Sequence, residues 1–182
     1  MLRAMLNTRV LLLAIVLVLA GCATPAGIEQ MTVHAPAMRA NDSALKNSVA
    51  VKEVTGGRET NPMAASQVSS SAFHRALENS LKNAGLGNPL LSSSRYHLTA
   101  DIVKVDQPFL GLDMTVSATV RYSLIEAASR KEIYTKVIPS SYTAKFSDAF
   151  AGTERLRLAN EGAAKTNIQT LVDELLALTP SQ

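Results

Sequence analysis

Between Met114 and Leu124 the chain alternates without a break. Met114, Val116, Ala118, Val120, Tyr122 and Leu124 hold one parity, and Thr115, Ser117, Thr119, Arg121 and Ser123 hold the other. Successive side chains of a β-strand point to opposite faces, so this run predicts a strand with one dry and one wet side. A sheet built on it needs a cover on one face only. An all-helical bundle or a sheet buried on both faces does not fit such a run.

The cover is legible elsewhere. Between Ser66 and Ala84, the residues Val68, Ala72, Phe73, Ala76, Leu77, Leu81 and Ala84 fall at helical spacing, with Arg75, Glu78, Asn79 and Lys82 opposite and Gly85 as a stop. A longer helix is predicted from about Thr153 to Leu178, with a stripe through Leu156, Ala159, Ala163, Ala164, Ile168, Leu171, Val172, Leu175 and Leu178, closed by Pro180. Three more strands are expected. The first, Ser48 to Val54, is stopped by Gly56-Gly57. In the second, Tyr96, Leu98, Ala100 and Ile102 alternate with His97, Thr99 and Asp101. The third runs from Glu132 to Lys145, where Pro139 points to an edge or a bend. Ala127 to Arg130 is short enough for a hairpin. The order β-α-β-β-β-α predicts an α+β two-layer sandwich, a four-stranded, mainly antiparallel sheet with two helices on one face.

The first 21 residues are of another kind. Met1 to Arg9 is basic without an acid, and Val10 to Ala20 is an apolar run of 11 residues, too short for a bilayer, which takes about 20. Basic segment, short apolar run and small residues together read as a secretory signal. It ends in Leu19-Ala20-Gly21-Cys22, which resembles the bacterial lipobox. The resemblance implies cleavage between Gly21 and Cys22, a diacylglyceryl group on the Cys22 thiol, and acylation of the new amine. Cys22 is the only cysteine, so it has no internal disulfide partner. Several acyl chains give durable membrane attachment, whereas one is marginal. Ala23 and Thr24 follow, where enterobacterial lipoproteins kept at the inner membrane carry an Asp; the resemblance therefore implies the outer membrane, with the domain facing the periplasm. The expected organisation is a signal peptide over 1–21, a lipidated N-terminus and flexible tether over 22–47, and an α+β periplasmic domain over 48–182. Ile28 to Ala37 is also compatible with an edge strand.

Removal of the signal lowers the formal charge from +3 to +1 and leaves no cluster of five or more Lys or Arg, so the electrostatic case for nucleic acid disappears. His34, His74 and His97 lack the spacing of a metal site. The Ser69-Ser70-Ser71 and Ser92-Ser93-Ser94 runs lie in no nucleophile elbow. Glu126, Glu132 and Glu154 form no evident acid/base pair. No catalytic residue, metal ligand or cofactor is assigned, and the chain is not read as an enzyme.

Three places are candidates for contact. Arg58, in the loop Thr55 to Pro62 ahead of the first helix, can hold an anion together with nearby backbone amides, or the loop is a flexible turn. Phe109, Leu110 and Leu112, in the connection Asp106 to Asp113, mark a partner or lipid contact, or they tuck under a helix. His97, Asp101 and Arg121 on the wet face form a polar site or a solvated cross-strand pair.

The lipobox and the element order together resemble small outer-membrane lipoproteins of Gram-negative bacteria, of the LptE and YajG types, in element order only. The lipobox, the compact domain and the lack of a catalytic constellation point to a non-enzymatic binding or assembly module of the cell envelope. Its membrane link is the lipid on Cys22, and its partner is an envelope protein or lipid. The alternative is a carrier or sensor of a small envelope ligand: a glycan, a lipid or an anion.

Overall fold

The computed structural model describes residues 22–35, 40 and 42–179. The expected signal peptide, the Leu19-Ala20-Gly21 part of the lipobox and Pro180 as a helix stop lie outside the described residues. The elements in chain order are α1 (Ile28–Met31), β1 (Val49–Thr55), α2 (Ser70–Asn83), a 3₁₀ turn (Leu91–Ser93), β2 (Tyr96–Asp106), β3 (Met114–Glu126), β4 (Glu132–Ala144) and α3 (Gly152–Ala177).

The strands form one sheet in the order β1-β2-β3-β4. β1 and β2 are parallel because α2 carries the chain back between them, whereas β2–β3 and β3–β4 are antiparallel. The fold is the α+β sandwich that the alternation predicts. Pro139, opposite Thr119, sits on the edge strand β4, where its missing N–H is tolerated. Tyr96, Leu98, Val116, Val120, Tyr122 and Leu124 are buried on one face, against Phe73, Ala76, Leu77 and Leu81 of α2 and Ala159, Ala163, Ile168, Leu171 and Leu175 of α3. Ser69 caps α2 by accepting from the Ala72 N–H at 3.1 Å. Gly85, at φ +76°, makes the expected stop in a conformation that glycine adopts at little cost.

The segment expected as a flexible tether is different in the structure. Ala23, Ala26, Met31, Val33 and Leu45 are buried, Met31 and Leu45 completely. α1 takes the place of the edge strand considered for Ile28 to Ala37, and it packs against both α2 and α3. Residues 23–33 are bonded to the body: the Ala23 N–H donates to Pro62 O at 2.9 Å, Gly27 N–H to Glu161 Oε1 at 2.8 Å, and Val33 N–H to Ser80 Oγ at 2.9 Å. The segment's buried apolar residues show no period because, apart from the single turn of α1, its described backbone is irregular, and burial there requires neither a two-residue nor a 3.6-residue repeat.

That second contact also explains the polar groups on α3. Glu161, nearly buried, accepts from Gly27 and from Arg157 Nη1 at 2.5 Å. On the sheet side the Tyr122 hydroxyl donates to Asn167 Oδ1 at 2.8 Å, and Asn167 Nδ2 donates to Ile138 O at 2.8 Å. Burial pushes the Tyr122 hydroxyl pKa well above its ordinary value, so it remains a donor. Asn160 Nδ2 donates to Ser66 O at 2.9 Å, and Gln107 Nε2 donates to Asn160 Oδ1 at 2.7 Å. Gln107 thereby pins the base of the β2–β3 loop.

Candidate functional site

β1, β2 and β4 run one way and β3 the other. The loops 56–69, 107–113 and 145–151 therefore gather at one end of the sheet, with the N-termini of α2 and α3. The Ala23–Pro62 hydrogen bond places Cys22 at this same end, where its thiol is free and exposed. The first cysteine-proximal residues thus leave no length of free chain between Cys22 and the folded body.

This end is apolar on the outside. Phe109 is 95% exposed, Phe150 90%, Met63 90%, Leu110 81% and Leu112 74%, with Phe146 half exposed beside them. Phe109, Leu110 and Leu112 stand out from the surface and do not tuck under a helix. The sequence reading missed Phe146, Phe150 and Met63 because neither of their loops has a period. The available signal was compositional, since three of the chain's four Phe lie in the loops 107–113 and 145–151.

Polar groups of these loops and of α3 hold the loops in place. Asp113 Oδ1 accepts from the Phe146 N–H at 2.9 Å. Arg155, nearly buried on the first turns of α3, donates through Nη1 to the carbonyls of Ala149 and Phe150 at 2.7 and 2.8 Å, and through Nη2 to Gly111 O at 3.5 Å. Its guanidinium also lies 5.0 Å from the centre of the Phe146 ring. The Phe146 and Phe150 rings are 6.1 Å apart and tilted. Asp148 Oδ2 accepts from the Lys145 N–H at 2.8 Å, so that carboxylate is spent within its own turn. Two loops are thus tied to each other and to α3, and their apolar side chains are left outside.

The other sequence candidates are placed as follows. Arg58 is exposed, and its loop is fastened to the start of α2: the Gly57 N–H donates to Ser70 Oγ at 2.9 Å and the Arg58 N–H to Val68 O at 3.0 Å. A Cβ on Gly57 would lie 2.2 Å from Ser70 N, an approach only glycine permits. Arg58 borders a groove of about 300 Å³ that also includes Gln67, Lys104 and Gln107. Lys104 is paired there with Asp106 at 2.7 Å.

On the wet sheet face, Asp101 and Arg121 are cross-strand partners at 3.3 Å, and Thr55 Oγ1 donates to Asp101 at 3.1 Å. His97 is not drawn into that cluster, its Nε2 lying 3.1 Å from Leu91 O. Among the described residues no group of three or more His, Cys, Asp or Glu is arranged to hold a metal. Ser69 is a helix cap, Glu132 accepts from Ser123 Oγ at 2.6 Å, and Glu126 and Glu154 are each engaged by an arginine. Hydrogen bonds from Ser129 and Arg95 lower the Glu126 pKa, and one from Arg157 lowers that of Glu154. Both carboxyls are held ionised, away from the range useful for proton transfer near neutrality. Among the described residues, no helix is long and apolar enough to cross a membrane.

No family model matches the sequence, and no curated protein matches it. Solved structures do share the fold. A Xanthomonas campestris protein of the family DUF330 superposes with TM-score 0.54 at 11% identity, over 74% of this chain and 88% of its own. The PelC dodecamer of Paraburkholderia phytofirmans gives TM-score 0.51 at 15% identity, over 75% and 91%. A candidate lipoprotein of Caulobacter crescentus gives 0.50 at 15% identity, over 72% and 89%. At these identities what is shared is the architecture, the four-stranded sheet and its helical cover.

Proposed function

We propose that this chain is a non-enzymatic lipoprotein of the outer membrane, anchored by acyl chains on Cys22 with its domain in the periplasm, and serving as a binding or assembly module of the cell envelope. The observation that carries the reading is the position of Cys22. It is the residue that follows Leu19-Ala20-Gly21, it is exposed, and the folded body begins directly behind it. The fold shared with a candidate lipoprotein supports the reading, and so does the loop end of the sheet, where the Asp113 and Asp148 carboxylates accept from backbone N–H groups while the apolar side chains face out. The element order keeps the LptE and YajG types as models for the kind of work done, with an envelope protein or lipid as partner. Labelled palmitate fed to cells expressing the full chain should appear on the protein and vanish in Cys22→Ala. Label retained in that variant overturns the anchoring.

Two clefts favour a second reading, a carrier of a small ligand. One is the groove beside Arg58. The other, about 570 Å³, lies between β1 and α2 and is lined by Val49, Val51, Glu78 and Lys82 among others. Saturable thermal stabilisation by a glycan, lipid or anion supports the carrier, and its absence across those classes supports the assembly module.

A further inference from the structure

The six exposed apolar side chains and the cysteine lie at one end of the domain, whereas the opposite end holds Leu90 and Leu91 beside the start of β2. β2 has 11 residues, so the two ends are separated by about 35 Å at roughly 3.3 Å per residue. We infer that the Phe109/Leu110/Leu112 and Phe146/Phe150 loops form a lipid-contact surface, which inserts into the membrane interface and sets the domain upright on its anchor. The inference rests on the anchoring proposed above and names the occupant of that end as the bilayer itself.

Three observations select a lipid surface over a protein partner. The anchor allows no distance, because Ala23 is already bonded to Pro62, so acyl chains on Cys22 bring this end to the headgroups before any other part of the domain. The exposed residues are Phe, Leu and Met on convex loop tips, a shape that enters lipid without a matching groove. The loops are also held rigid from within by Arg155, Asp113 and Gln107. Their apolar side chains therefore remain outside at little further ordering cost on insertion. Of the three phenylalanines Phe146 is the least exposed, with Arg155 over its ring, and Phe109 and Phe150 are almost fully exposed.

The chain contains no tryptophan, so a single introduced one reports its own surroundings. Leu110→Trp, Phe150→Trp and, at the far end, Leu90→Trp would be made in the full chain, and the mature proteins purified from membranes. Each would be reconstituted into phosphatidylethanolamine/phosphatidylglycerol vesicles with bromine on the acyl chains, and the mass of the Cys22 peptide recorded for each. The expected result is blue-shifted, strongly bromine-quenched emission at positions 110 and 150, and unquenched emission at 90. Unquenched tips overturn the inference. If the tip emission is blue-shifted without quenching, sedimentation then shows whether a second copy of the chain or a co-purified protein covers the loops. An acylated Cys22 with unquenched tips leaves the anchoring intact and removes only the insertion. Quenched tips on an unacylated Cys22 remove the anchoring and keep the insertion.

Discussion

Met31→Ala tests whether the stretch after Cys22 belongs to the folded body. Met31 is fully buried, with its helix held between α2 and α3. The substitution removes three heavy atoms, equivalent to about 2.4 kcal/mol of transfer free energy at ~0.8 kcal/mol per methylene. A residual cavity of some 50 Å³ adds about 1 kcal/mol. The expected loss is about 3.5 kcal/mol, near the middle of the range for buried Met→Ala, and corresponds to a fall in Tm of roughly 10 °C for a chain of this length. Urea unfolding of the chain from Cys22 onward measures it as a lower midpoint with an unchanged slope. Met63→Ala, at a side chain 90% exposed, is the control and should change stability by less than about 0.5 kcal/mol. Equal effects of the two substitutions would refute the packing of α1 and restore a free tether.

Other outcomes follow from the same contacts. Tyr122→Phe leaves Asn167 Oδ1 without its buried donor and should cost about 1–3 kcal/mol by denaturation. Gly162→Ala places a Cβ 2.2 Å from the Tyr142 ring; despite alanine's better helix propensity it should destabilise by about 1–3 kcal/mol, and the added substitution Tyr142→Ala should remove most of that loss. Burial raises the Glu174 pKa, but hydrogen bonds from Lys136 and Tyr134 and the Lys136 charge outweigh it, so the net direction is down from 4.5. Glu126 and Glu154 are also lowered. Around their titration the unfolded chain then binds more protons than the folded one, so the stability these three carboxyls contribute should be present above about pH 4.5 and be lost as pH drops below it; Glu174→Gln should make that fall shallower.

The parts of this fold legible in the sequence are those in which a period meets a single boundary. β3 shows its alternation because one face packs on helices and the other meets water. α2 shows its stripe for the same reason, and Ser69 and Gly85 mark its ends. α3 was legible as a helix but not as one buried on two sides, since Asn160, Glu161 and Asn167 lie outside its apolar stripe and are nonetheless buried with partners. The segment from Ala23 to Leu45 was illegible because its burial depends on a groove that exists only once α2 and α3 are in place. At the loop end, Phe109, Leu110 and Leu112 stood out as an apolar run between two strands, whereas Phe146 and Phe150 join them only through Asp113 and Arg155, a contact across 33 to 44 positions of sequence.

The arrangement as a whole depends on Cys22 carrying the anchor, because lipid on that residue turns an exposed apolar end into a membrane-facing one. The most direct test is the mass of the N-terminal peptide of the protein isolated from membranes. The account predicts that the peptide begins at Cys22 and carries a diacylglyceryl group on sulfur and an acyl chain on nitrogen. A peptide that begins at Cys22 with a free thiol, or that retains residues 1–21, contradicts it.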